Sequence, residues 1–135
     1  MLGVNPYITF SGNCREAIEF YRSALGAEVV FVHTIGESPM PEMGPPDKIM
    51  HCMIKVGNSV IMMSDDPRSE APMTSGSMSL AIGLNDPARA QSLFDSLVEG
   101  GTVIMPVQKT YWADAFGMLV DRFGVRWMIN SEAPR

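Results

Sequence analysis

The sequence predicts an α+β chain built from two βαβββ modules, residues 1–66 and 77–132, with curved sheets around a cavity and the helices outside. Three observations predict it. First, a strand, a capped helix, a glycine stop and three more strands follow one another in the same order twice. Second, an offset of 73 pairs Asn13 with Asp86, Ala17 with Ala90, Tyr21 with Phe94 and Ser23 with Ser96, and one extra residue then pairs Gly26-Ala27-Glu28-Val29-Val30 with Gly100-Gly101-Thr102-Val103-Ile104. Third, 135 residues at 46% hydrophobic content suit one domain with a real core, so the two modules are parts of a single unit of folding.

In chain order, Tyr7-Ile8-Thr9-Phe10 reads as a strand, broken by Ser11-Gly12-Asn13. Asn13 with Glu16 three residues later forms a capping-box-like start to a helix whose apolar face is Ala17, Tyr21, Ala24 and Leu25, and Gly26 stops it. Glu28 to His33 is a strand, and the four prolines between Glu37 and Asp47 make that stretch a loop. Strands Lys48 to Val56 and Ser59 to Ser64 flank the Gly57-Asn58 turn. Asp65 to Gly76 is a polar connector. The second module opens with strand Ser77 to Leu84, then Asn85-Asp86-Pro87 as N-cap and first helical proline, and a stripe of Ala90, Leu93, Phe94, Leu97 and Val98 ended by Gly100-Gly101. Strand Thr102 to Pro106, an aromatic loop from Thr110 to Phe116, and a hairpin of Gly117 to Asp121 and Val125 to Ile129 complete it.

Composition narrows the function. Ten basic against fifteen acidic residues leave a net charge of −5, which opposes nucleic acid or an anionic membrane as partner. Cys14 and Cys52 have neither CxxC nor metal-ligand spacing, and no basic-then-apolar leader opens the chain, so a reduced cytoplasmic setting is expected. No GxGxxG, GxSxG, P-loop or HExxH occurs. Twelve methionines read first as flexible core filling, and otherwise as the lining of an adaptable apolar cavity.

The chain resembles a known family. Pro6 to Phe10, Gly12-Asn13-Cys14-Arg15-Glu16-Ala17-Ile18-Glu19-Phe20-Tyr21 and Leu25-Gly26 look like the opening of the vicinal oxygen chelate superfamily, in particular its PhnB-like group. Ile49-Met50-His51, Met62-Met63-Ser64-Asp65, Thr110-Tyr111-Trp112, Phe116-Gly117 and Asp121 to Trp127 are similar to later motifs of that group. The resemblance implies a glyoxalase, bleomycin-resistance or dioxygenase-type scaffold, in whose metal-using members His or Glu side chains from several strands hold a divalent cation. Carried onto this chain, those positions fall on Pro6, Ser79, Ile61 or Met62, and Met128, with Tyr7 or Leu80 one residue away. None is His, Asp or Glu, so the usual metal site is expected to be absent and no cofactor is expected. Tyr7, Met62 and Met128 become candidate ligand contacts instead. The resemblance also implies a homodimer, with exchange of modules between chains.

Among the other candidates, His51 interrupts an apolar strand with an imidazole, the side-chain type suited to proton transfer at neutral pH, so it is either a wall histidine or a ligand-contacting acid/base group. Asp65 ends a strand beside the connector and is its candidate catalytic partner, or else a turn residue. Trp112, Asp114 and Phe116, with Tyr111, form a ring-rich loop in which Trp112 would cap the cavity and Asp114 orient a donor. His33 reads as a surface imidazole. Cys14, near a helix start, is a buried structural thiol or one whose pKa the helix lowers. The function expected is metal-independent binding of a small organic molecule; the alternative is a metal-dependent glyoxalase- or dioxygenase-type enzyme. No room exists for a nucleotide-type methyl-donor domain, so methyl transfer is not expected.

Overall fold

The computed structural model describes residues 2–39, 44–66 and 76–132. The chain divides into two compact units, Met1–Met73 and Thr74–Arg135, and each is a four-stranded sheet with one helix on it. The connector of the sequence reading lies largely outside the described residues, as does part of the proline-rich loop. No helix among the described residues is long and apolar enough to cross a membrane.

The first unit runs β1 (Tyr7–Phe10), α1 (Cys14–Leu25), β2 (Glu28–Thr34), β3 (Ile49–Val56) and β4 (Ser59–Asp65). Its sheet order is β1-β4-β3-β2, with β1 and β4 parallel and the other pairs antiparallel. α1 buries Cys14, Ala17, Ile18, Tyr21 and Leu25, the spacing of one helical face, and ends on Gly26 at φ 67°, a left-handed position that costs glycine nothing. Its start differs from the expected capping box. The Asn13 side chain makes no cap bond; Asp65, at the end of β4, accepts from the Gly12 and Cys14 amides at 3.1 and 2.9 Å with Oδ1 and from the Ile49 amide at 2.9 Å with Oδ2. A charged acceptor from a distant strand outcompetes a neutral local one at the positive end of a helix.

The second unit repeats the plan with β5 (Leu80–Leu84), α2 (Pro87–Val98), β6 (Thr102–Gln108), β7 (Ala113–Val120) and β8 (Arg126–Glu132), in the order β5-β8-β7-β6. The same strand order in both units, with the parallel pair in the same place, bears out the two βαβββ modules. α2 starts as expected: Asp86 accepts from the Arg89 amide at 3.1 Å and Pro87 occupies the first turn. Asp121 organises the last hairpin, taking the Phe123 and Val125 amides on Oδ1 at 2.9 and 3.1 Å and the Trp127 indole N–H on Oδ2 at 2.9 Å. The turn within the motif from Asp121 to Trp127 is thus held by the buried Asp121 carboxylate through three hydrogen bonds.

Two element boundaries bear on the site. β7 begins at Ala113, so Asp114 and Phe116 belong to a strand and the ring-rich loop shrinks to the residues before it. β6 continues through Pro106 to Gln108, tolerated because β6 is an edge strand.

Candidate functional site

Each sheet has a packed face and an open one. In the first unit Cys52, Ile54, Ile61 and Met63 are buried on the side of α1, so alternation turns His51, Met53, Met62 and Tyr7 to the other side. The strand register lines up Tyr7 on β1 with Met62 on β4, Met62 with Met53 on β3, and Met53 with Phe31 on β2. This row crosses the whole sheet. Beside it His33 pairs with His51 across β2 and β3. The Tyr7 and His51 rings stack at 5.6 Å between centroids and 12° between planes, with the phenol oxygen 3.3 Å from His51 Nδ1. Phe31 contacts both imidazoles, at 5.3 Å from His51 and 5.1 Å from His33. Tyr7 remains 49% exposed within this face.

The second unit carries the equivalent row: Ala81 on β5, Met128 on β8, Met118 on β7 and Met105 on β6. Its α2 side is identified by Gly117, where an added Cβ would sit 2.9 Å from the Phe94 ring. Next to the row, Phe116 pairs with Asn130, and Trp112 lies over both, its indole N–H donating to Asn130 Oδ1 at 3.1 Å and its ring 5.2 Å from Phe116. Phe116 stands where the first unit has His51. Beside each row there is thus a ring contacted by another ring, His51 by Tyr7 in the first unit and Phe116 by Trp112 in the second.

The candidates thus fall into separate groups. His51, Tyr7 and Met62 come together on one open face; Trp112, Phe116 and Met128 come together on the other. Asp114 is half-buried beside the irregularity of β7 between Ala113 and Ala115. Asp65 is not brought to His51. It is buried on the α1 side with both oxygens engaged by backbone amides, while the hydrogen-bond partner of His51 is Tyr7. Strand alternation in the sequence already puts Met53 on the face of His51. Phe31, Met105, Met118 and Asn130 are not among the sequence candidates; alternation relates Asn130 to Met128, but the cross-strand register that joins these residues is not local information. The repeat also shifts: Tyr7 corresponds to Ala81, because three residues separate β1 from α1 and two separate β5 from α2.

The row positions do not suit a hard divalent cation, since they offer phenol and thioether where carboxylate and imidazole are wanted. No group of three or more His, Cys, Asp or Glu side chains is placed to hold a metal ion among the described residues. A groove of about 440 Å³ lies on the α1 side, against β2, lined by Arg15, Ile18, Glu19, Arg22 and Val29 among others. Its polar groups are largely committed: Arg22 pairs with Glu19 at 2.9 Å and Arg15 donates to the Asp47 carbonyl at 3.2 Å. The soft, ring-bearing open faces have more unused binding chemistry.

The model of the Glyoxalase/Bleomycin resistance protein/Dioxygenase superfamily matches residues 3–129. Protein YjdN of Escherichia coli is 35% identical over 138 residues, covering 94% of this chain and 93% of that protein. The crystal structure of protein PA1353 from Pseudomonas aeruginosa is 40% identical, with a TM-score of 0.86 and 98% of each chain covered. A Bacillus cereus PhnB protein, described as a putative 3-demethylubiquinone-9 3-methyltransferase, superposes with a TM-score of 0.80 over 96% of this chain and 98% of its own; at 22% identity this shows the shared fold.

Proposed function

Because the chain belongs to the Glyoxalase/Bleomycin resistance protein/Dioxygenase superfamily, we propose that it binds a small organic molecule on its open sheet faces without the metal chelate used elsewhere on this scaffold. The observation that carries the reading is the row Tyr7–Met62–Met53–Phe31 with the stacked Tyr7–His51 pair at its side. Such a surface offers polarizable thioethers and ring faces for an apolar or planar body. It offers one oriented polar group as well. We take the Tyr7 hydroxyl as the donor to His51 Nδ1, 3.3 Å away, an assignment that leaves the ring N–H on Nε2 as a donor for a ligand. The ligand is therefore a flat or apolar molecule carrying an acceptor oxygen, such as a quinone or another conjugated carbonyl. Trp112, packed on the buried Phe116, supplies the corresponding stacking surface of the second unit beside Met128, with Asp114 at its margin. Asp65 acts at a distance, by fixing the ends of β3 and α1.

A thermal-shift screen followed by calorimetry, using quinones, catechols, aldehyde–thiol adducts, phosphonates and aromatic antibiotics, tests the reading. Ligands with a ring and an acceptor oxygen should raise Tm, and His51→Ala should weaken them about tenfold, the loss of one hydrogen bond with its stacking surface. Tyr7→Phe, which keeps the ring and frees the imidazole tautomer, should cost less. Prior treatment with a chelator should leave affinity unchanged. No shift from any class, or binding abolished by chelation, would sink the proposal. The same reading includes a homodimer, and light scattering behind size exclusion at micromolar concentration should return twice the chain mass.

A further inference from the structure

Two thioethers and an imidazole share the open face of the first unit. Met53 on β3 and Met62 on β4 are register partners, which sets their Cβ atoms about 5 Å apart. Each is half-buried, and three rotatable bonds let each bring its sulfur to a common point above the sheet. His51 stands two residues before Met53 on the same side of β3, about 7 Å along the strand. Its ring is held in place: the Tyr7 hydroxyl oxygen lies 3.3 Å from Nδ1, the Tyr7 ring stacks on it, and Phe31, the register partner of Met53, packs against it at 5.3 Å. Nδ1 is therefore engaged, and Nε2 is the ring nitrogen left for a ligand.

We propose that His51, Met53 and Met62 form a binding site for a soft monovalent cation, Cu(I), with Nε2 and the two sulfurs as its ligands. The donor set that fails a hard divalent ion is the one that selects this one, since thioethers favour Cu(I). Three uncharged donors also suit a single positive charge on a half-buried surface better than a double one. On coordination the imidazole proton lies on Nδ1 and is donated to the Tyr7 hydroxyl oxygen, which accepts as well as it donates. That is the opposite tautomer to the one offered to an acceptor oxygen, so cation and organic ligand exclude one another at His51. The second unit has thioethers in its row, Met105, Met118 and Met128, but Phe116 where the first unit has His51, so the site belongs to the first unit. Nothing in the assignment depends on organic-ligand binding, and it stands or falls separately.

The test uses the whole folded chain, labelled with ¹³C at the methionine methyl groups and titrated with silver nitrate in chloride-free buffer, Ag(I) being the redox-inert stand-in for Cu(I). Up to one equivalent, the methyl signals of Met53 and Met62 and the ring protons of His51 should move together. Met63, fully buried opposite Cys52, should stay and so reports separately on silver taken by the thiols. Zn(II) should leave both row methyls where they are. Met53→Leu and Met62→Leu, which nearly keep volume, and His51→Ala should each weaken Ag(I) at least about tenfold, no less than is usual for loss of an outer partner of a metal ligand. His33→Ala, at the residue opposite His51 across β2 and β3, should leave the affinity unchanged. Anaerobic titration with Cu(I) should reproduce the Ag(I) shifts. Silver that moves Met63 but neither Met53 nor Met62, a stronger response at Met105, Met118 and Met128, or an affinity that survives all three ligand substitutions would overturn the proposal. A loss in His33→Ala equal to that in His51→Ala would overturn the ligand set.

Discussion

Asp65 shows how far a residue's neighbours in the fold can lie from what its place in the sequence suggests. Its place at a strand end beside a polar connector was legible; that its two oxygens serve three backbone amides from two other segments was not, because those amides are brought in by tertiary structure. The arrangement makes it a structural anchor. Asp65→Asn would set an amide N–H against a backbone N–H on one side while keeping a neutral acceptor on the other, and should lower stability by about 3 kcal/mol in denaturant titration. Glu37 is a milder case. The Thr34 hydroxyl and amide donate to it, at 2.7 and 3.4 Å, and these bonds hold its pKa below the ordinary 4.5. A carboxylate depressed in the folded state adds stability above its unfolded pKa, and that contribution disappears as pH falls through the folded one. Thr34→Val should therefore raise the Glu37 pKa toward 4.5 in an NMR titration, and its Tm deficit should shrink under acid to the part due to the Glu37 amide, which donates to the Thr34 hydroxyl at any pH.

At the scale of the element, helices and turns were readable because their signals are local: Gly26, Asp86 and Pro87 do what their chemistry dictates where they stand. The start of β7 was not, because Tyr111, Trp112 and Phe116 look alike in sequence, whereas only Phe116 pairs in the sheet and is buried, leaving Tyr111 96% exposed and Trp112 45% exposed. Glycines sort in the same way. Gly101, read as a helix stop, also lies where β6 comes close to the end of β7: an added Cβ would run into the Val120 carbonyl oxygen and lie 2.9 Å from Asp121 Cα. Backbone atoms cannot rotate aside, so Gly101→Ala should cost about 2–4 kcal/mol by chemical denaturation. Gly83, in β5 opposite Asn130, would meet nothing within 4 Å. Gly83→Ala should be neutral or gain about 0.5 kcal/mol, since alanine has less backbone freedom to lose. Equal losses at the two positions would mean that the approach at Gly101 is not what requires glycine.

For the molecule as a whole, duplication was legible because capping chemistry and helix spacing repeat. Register was not, and register decides what the methionines do. Reading them chiefly as core filling holds for Met63, which is fully buried. It does not hold for Met53 and Met62 in one sheet or for Met105, Met118 and Met128 in the other, which are half-buried in matching rows on the faces opposite the helices. A thioether in a packed core is shielded from oxidants, whereas one on an open face is not, and sulfoxide formation follows access. Brief treatment with chloramine-T followed by peptide mass spectrometry should therefore oxidise the five row methionines several-fold faster than Met63. A ligand that raises Tm should slow Met53 and Met62 selectively, because a bound ring would occupy the surface they share with Tyr7 and His51. Uniform rates across all six would place the row methionines in sealed packing and remove the surface on which ligand binding is proposed.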